Sequence, residues 1–470
     1  MTPSEVSTAA RGLLNESVPQ RLRQAAMLCA VPNWFTRSLG LHLIDKFGRP
    51  MGSAEQVFGE LVCLPFVYRR EDVDWQVAPS IRAVLKAQLS EQGQAFQRVS
   101  SFVARDLTRQ VDQAFGLRAR SLQAEIVYHM AVTRPRVALQ ELVRISDAAA
   151  RESHVANIKL AVDTCTEQSQ WLPSGDVEVL YVRGRYAYAT DDWKAAQVAL
   201  EEVWRRKARD PFVTANAGLL LGVLYRRRGQ QPFLDRAEVT LRQTLTLCEK
   251  LLTQDRRRAN ELRAWVLNSL GATIAQRGAA GRFDEAERML RQSLSLGERV
   301  GDKQHRAQVL NTLGTLYAEA GGVSGLRRAE RCFRQALLEE PVVLDAKSHA
   351  QLEHSLGKVL SARGDYANLR EAESHLRRSL DLGKRVGKGH HTALALQTLG
   401  LTLIRLGGAK RRREAEEYLR RSFAFWKSVD HVQGQEHSLR ALETLMVREK
   451  RADDLLAIRS SLAELSSRKS

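Results

Sequence analysis

Apolar residues recur at three- and four-residue spacing along most of the chain, and from residue 266 onward they do so in a repeated phrase. It reads VLNSLGATIAQRG (266–278), VLNTLGTLYAEAG (309–321), EHSLGKVLSARG (353–364) and LQTLGLTLIRLG (396–407), so Gly271, Gly314, Gly357 and Gly400 stand 43 residues apart. A second phrase keeps the same phase: AERMLRQSL (286–294), AERCFRQAL (329–337), AESHLRRSL (372–380) and AEEYLRRSF (415–423). The first has the apolar spacing of an amphipathic helix closed by a glycine. The second starts on alanine and places apolar residues four and eight positions on, as another helix would. A glycine inside a helix costs about 1 kcal/mol relative to alanine. Its return at one register position therefore predicts a close helix–helix approach, with Ala286, Ala329, Ala372 and Ala415 as the small residues opposite. Neither helix can bury its stripe alone, so the pairs must stack. The pattern predicts a mainly α chain built as an α-solenoid.

Residues 1–95 carry a different pattern. Apolar periodicity predicts helices over about 18–30, 33–46 and 53–62, then two strand-like pieces, Phe66-Val67-Tyr68 and Trp75-Gln76-Val77, around the turn residues Glu71 to Asp74. A further helix starts near Pro79. Three helices and a two-stranded wing make a small winged-helix domain. Residues 96–174 read as a helical arm, with AEIVYHMAVTRPRVAL (124–139) and ELVRISDAAARES (141–153) as its helices.

The repeat phrases resemble tetratricopeptide repeats. The copy at 309–341 matches that family most fully, through Leu313, Gly314, Tyr317, Gly321, Ala329, Phe333, Ala336 and Pro341, and the one before it through Leu270, Gly271, Ile274, Gly278 and Ala286. The family's period is about 34 residues. The extra length falls to a longer turn, as in 321–325, and to a longer second helix and loop. Degenerate copies hold Gly222, Tyr225, Gly229, Ala237 and Leu241, and before them Gly184, Tyr186, Ala196 and Leu200. After the last regular copy, Leu439, Leu442 and Met446 keep the period while Glu443 takes the glycine position, as a terminal capping unit would. The resemblance implies a tetratricopeptide superhelix of about six to seven hairpins over 175–465. The N-terminal phrases LRQAAMLCAVPNWF and LPFVYRREDVDWQVAPSIRAVLKAQL resemble the winged-helix segment that follows the nucleotide-binding core in STAND-type regulatory ATPases. Such an ATPase needs a G-x-x-x-x-G-K-[ST] phosphate loop. None is present: GRPMGS (48–53) has no lysine, and Gly357-Lys358 lies inside a repeat helix.

Composition narrows the class. The chain has 470 residues, 44% hydrophobic and 27% charged, which fits folded protein and not disorder. No apolar run approaches the roughly 18 residues that span a bilayer. The first residues lack a basic start and an apolar stretch, so a cytoplasmic chain is expected. Cys29, Cys63, Cys165, Cys248 and Cys332 are dispersed with no C-x-x-C pair, as reduced thiols would be. Of the net charge of +18, residues 1–120 supply only +4, so the excess sits in the long C-terminal region. That charge permits nucleic acid, an anionic surface or an acidic protein as partner.

No catalytic order is visible. H-E-x-x-H and G-x-S-x-G are missing, and the paired acids Glu339-Glu340 and Glu416-Glu417 are adjacent on helices, where side chains do not converge. His390-His391 read as a solvated loop pair and His129 as a core histidine. The expectation is no enzyme, no metal and no cofactor.

Two ladders follow from the repeat register. On the first helices, Asn268, Asn311, His354 and Gln397 share one position, with Ala272, Thr315, Lys358 and Leu401 four residues on and Trp265 near the same edge. In tetratricopeptide folds this row lines the concave groove, where amides can hold an extended peptide or cap neighbouring helices. On the second helices, Arg291, Arg334, Arg377 and Arg420 form a basic ladder, either salt-bridged to nearby glutamates or offered to an anionic surface. The leading expectation is a scaffold or regulatory subunit that binds a protein partner, as in a bacterial signalling or defence assembly. The alternative is a DNA-binding regulator. Its reading helix, Ser53 to Leu61, offers Gln56 but no cation and two glutamates, and the wing sets Arg69 and Arg70 beside Glu71, Asp72 and Asp74, which is poor chemistry for phosphates.

Overall fold

A computed structural model describes residues 12, 14, 17–48, 52–69, 74–111, 116–151, 155–278, 282–339, 346–386 and 389–467. Within it the chain divides into two compact units, Met1–Val213 and Thr214–Ser470. Apart from one two-stranded sheet, the elements are helices.

The first unit opens with α1 (Gln20–Cys29), α2 (Arg37–Phe47) and α3 (Ala54–Leu61), followed by β1 (Val67–Arg69) and β2 (Trp75–Val77). These strands pair antiparallel with Val67 opposite Val77 and Arg69 opposite Trp75, and an isolated bridge joins Phe35 to Trp75. Arg70, Glu71 and Asp72 lie outside the described residues. Then come α4 (Pro79–Ser90), α5 (Gln94–Val111), α6 (Gly116–Thr133), α7 (Pro135–Arg151) and α8 (Val155–Glu167). Aromatic side chains close the core: Trp34, Phe35, Phe58, Phe66 and Phe96 are buried with Leu39, Leu43, Leu61 and Leu85. A hairpin of α9 (Val177–Ala189) and α10 (Trp193–Arg206) follows, and Gly184 in α9 meets Leu200 in α10.

After α11 (Pro211–Arg228), the second unit continues with α12 (Gln231–Leu251), then α13 (Arg256–Arg277) with α14 (Phe283–Val300), and α15 (Lys303–Ala320) with α16 (Gly322–Leu338). It ends with α17 (Ala346–Arg363) and α18 (Tyr366–Val386), α19 (His390–Leu406) and α20 (Ala409–Ser428), and α21 (Val432–Glu449) and α22 (Ala452–Ser467). Each helix packs on the next, and the first helices α13, α15, α17, α19 and α21 also touch one another in succession. That second contact turns hairpins into a solenoid and sets equal register positions side by side.

The glycine row works by close approach. A β-carbon at Gly271, Gly314, Gly357 or Gly400 would lie 2.7, 2.6, 2.6 or 2.7 Å from Leu290, Phe333, Leu376 or Leu419. The opposing side chain is thus the large residue four positions after each alanine. The alanines are fully buried. At Gly271 the backbone carbonyl of Ala286 also lies 3.2 Å from that point. Residues 322–325 are not a lengthened turn: α16 begins at Gly322, with Gly321 at φ +70° between the helices. The long period resides mainly in helices of 17 to 22 residues. Pro341 lies outside the described residues. At Glu443, where the glycine is replaced, the carboxylate pairs with Arg459 of α22 at 2.8 Å.

Candidate functional site

The polar row on the first helices is built by the stacking just described. Asp255 and Asp302 start α13 and α15 by accepting from the N–H groups of Arg258 and His305, and the shared register of the two helices comes from their glycines, Gly271 and Gly314. Asn268 is buried, 6% exposed, and its Oδ1 has no hydrogen-bond partner. Asn311 is half-buried, and its Oδ1 is likewise buried without a partner. Neither acceptor caps a neighbouring helix. His354 bonds Thr398 of the next repeat through Nε2 at 3.0 Å, and burial with Lys358 and His391 nearby pushes its pKa down to about 4. Gln397 is buried at 8% exposure. The row four residues on is more open: Thr315 and Lys358 are exposed, and Thr315 Oγ1 donates to the Asn311 carbonyl at 3.0 Å. Trp265 is half-buried and stands edge to face on His305, ring centroids 4.6 Å apart.

The basic ladder is paired throughout. Arg291, Arg334, Arg377 and Arg420 meet Glu287, Glu330, Glu373 and Glu416 one turn earlier on the same helix, at 2.8, 3.0, 2.9 and 2.8 Å. Some rungs also reach the next repeat: Arg334 binds Glu371 at 2.8 Å and Arg377 binds Glu414 at 2.7 Å. Arg242 makes the equivalent contact with Glu285 at 2.5 Å, beside Glu238. Glu238 takes Arg242, Arg277 and Arg282 together, and these bonds hold its pKa down at about 2. Glu416, one of the adjacent acids, accepts from Arg420 and from Arg451. Glu339 pairs with Arg306 at 2.7 Å, and Glu340 lies outside the described residues.

One histidine reading changes, and the core reading of His129 holds. His390 and His391 are not in a loop; they open α19. His129 is fully buried, with Nε2 3.2 Å from Glu125 while Nδ1 has no partner. It belongs to a buried polar cluster that the sequence does not disclose, since its members come from four distant segments. The Glu125 carboxylate accepts from the Asn33 backbone and side chain at 2.7 and 2.9 Å. The Tyr128 hydroxyl takes Arg82 at 3.2 Å and Lys86, and donates to Glu167 at 2.9 Å. Burial, helped by Arg82, pushes the Lys86 amine down to about 8.

A second row was also hidden. Ser293, Ser379 and Ser422 on the second helices donate to the carbonyls of Ala264, Ala350 and Ala393 on the first, at 2.7, 2.7 and 2.9 Å. The signal was the serine in QSL, RSL and RSF. Alanine at 336 breaks it, and a hydroxyl among charges reads as surface. Among the described residues, no group of three or more His, Cys, Asp or Glu could hold a metal, and no helix is long and apolar enough to cross a membrane.

No protein-family model matches the sequence, and no curated protein matches it. Solved structures do share the fold. One is a signal transduction ATPase with numerous domains (STAND) protein with a tetratricopeptide repeat sensor, from Pyrococcus horikoshii, at 11% identity and a TM-score of 0.62. The match covers 97% of this chain and 65% of that one, less than two thirds of its length. Another is the apo form of the quorum sensor NprR from B. thuringiensis, at 11% identity and a TM-score of 0.50, covering 81% of this chain and 96% of that one. The chain folds as a tetratricopeptide-like helical repeat.

Proposed function

We propose that the chain is a non-enzymatic recognition protein that holds an extended segment of a protein partner along Trp265, Asn268, Asn311, Thr315, His354, Lys358 and Gln397. The observation that carries this reading is the pair of buried amide oxygens, Asn268 Oδ1 and Asn311 Oδ1, at one register position in consecutive repeats and both without a donor. A buried acceptor left unmade costs roughly 1–3 kcal/mol, so turning each amide oxygen outward onto the N–H group of a bound peptide relieves that cost. Trp265 supplies an aromatic anchor beside them. The STAND and quorum-sensor likenesses support the sensor or regulatory part of this reading, and the proposal sets the chain in a cytoplasmic bacterial signalling or defence assembly. The N-terminal helices with their paired strands, to which Phe35 adds a third extended piece, support a winged-helix domain.

The DNA-binding alternative has weaker support. Both glutamates of α3 are engaged by arginines, Arg37 on Glu55 at 2.5 Å and Arg21 on Glu60 at 2.6 Å. Those cations are therefore neutralised beside the helix that would read the groove.

The test is a random peptide display library panned on the purified chain, followed by affinity measurement on the Asn268→Ala, Asn311→Ala double variant. Enriched peptides should lose tenfold or more, on the order of one unmade hydrogen bond. Enriched peptides that bind the double variant as tightly as the wild type would place recognition elsewhere.

A further inference from the structure

Among the described residues, the seam after Arg291 lacks the inter-repeat ion pair that the next two seams have. Arg334 reaches Glu371 and Arg377 reaches Glu414, in both cases 37 residues on. The residue 37 positions after Arg291 is Arg328, where the neighbouring repeats carry glutamate. The repeat register therefore brings two guanidinium groups to a seam that elsewhere joins a guanidinium to a carboxylate. Tyr317 lies between them. Its ring is 5.7 Å from the Arg328 guanidinium carbon, and its hydroxyl is 3.5 Å from Arg291 Nη2. The hydroxyl donates to Glu287 at 2.6 Å, the acid that also holds Arg291. Arg288, Arg327 and Arg331 are exposed on the same two helices, and among the described residues they and Arg328 have no ion partner. Glu287 therefore pairs with Arg291, Glu330 is taken by Arg334 and Arg363, and the other four arginines of these two helix stretches have no carboxylate among the described residues.

We infer that the seam between α14 and α16 docks an acidic segment of a partner protein, one of whose carboxylates fills the place that Glu371 and Glu414 fill in the next two seams. Carboxylate is the chemistry that the fold itself uses at this position, and a guanidinium fork matches it through paired N–H···O bonds. Arg291 and Arg328 grip the carboxylate, and Arg288, Arg327 and Arg331 attract the acids that flank it. This surface lies on the second helices, so it is separate from the row of amides on the first helices and does not depend on it.

Fluorescein-labelled hexaglutamate, followed by fluorescence anisotropy on the full chain, is the probe. Arg328→Glu closes the seam from within, since the introduced carboxylate meets Arg291. Lys427→Glu, an exposed position on α20, makes the same change in net charge elsewhere. Arg328→Glu should weaken hexaglutamate binding about tenfold or more and leave the melting temperature at or above that of the wild type, while Lys427→Glu shifts affinity by less than about twofold. Equal losses in the two variants would reduce the effect to net charge and overturn the inference, as would unchanged binding by Arg328→Glu. A phosphoserine hexapeptide that binds much more tightly than hexaglutamate would overturn the assignment to carboxylate. The Asn268→Ala, Asn311→Ala variant should bind hexaglutamate as the wild type does, which separates this site from the proposed groove.

Discussion

A methyl group at Gly314 would stand 2.6 Å from the ring of Phe333, which is 1% exposed and cannot swing into solvent. Gly314→Ala should therefore destabilise the chain by roughly 1–3 kcal/mol, the usual cost of overpacking, although alanine is the better helix former. Urea unfolding measures it; a stabilised variant would mean that the helices part freely there. The same scale holds a pH effect. In the unfolded chain His354 takes a proton near 6.5, but in the fold only at about 4. The unfolded state therefore binds more protons over that window, and stability present above pH 6.5 is lost as the pH falls towards 4. His354→Gln should flatten this part of the profile of melting temperature against pH. Buried His129 and His305, both lowered by burial, would supply what remains.

Between elements, the serine row shows how one hairpin is latched. Ser422 is fully buried, donates to the Ala393 carbonyl across the hairpin at 2.9 Å, and accepts from Ser438 at 3.1 Å. Ser422→Ala should cost about 1 kcal/mol in chemical denaturation, the net worth of one such bond. The cost should exceed that of an exposed partner such as Arg420→Ala, because exposed ion pairs contribute about 0–1 kcal/mol. The repeat containing Ala336 does without the bond. Its second helix packs through Phe333 instead of leucine, so the larger ring fills more of the same seam.

For the whole molecule, the prediction concerns nucleotide. The sequence holds no glycine-rich loop ending in Lys-Ser or Lys-Thr, the phosphate cradle that such ATPases use, so titration calorimetry with Mg-ATP should give no saturable heat. Micromolar saturable binding to the purified chain would refute this. The helices, the hairpin at 67–77 and the hairpin stacking were legible because each follows from local periodicity and turn chemistry. Boundaries in the first unit fall within a few residues of the pattern, from Gln20 to Pro79. The repeat register also aligned Asn268 with Asn311 and Arg291 with Arg334, since equal positions in stacked units must lie in rows.

What the sequence determined by itself is therefore periodic: which residues form helices, which glycines let them approach, and which side chains share a row. Burial and pairing within a row were decided only by tertiary contacts. Asn268 and Gln397 are buried while Asn311 and His354, in the same row, are half-buried. Arg334 finds Glu371 across a seam, yet Arg291 finds only Glu287 and Tyr317, because Arg328 stands where the next carboxylate would be. The Glu125, His129, Tyr128 and Lys86 cluster is assembled with Asn33, Arg82 and Glu167, through hydrogen bonds that span as many as 92 residues of chain. A repeat period is a local property written in one stretch of chain. The partner of a charge depends on which distant side chain folding brings within about 3 Å, and no spacing along the chain encodes that.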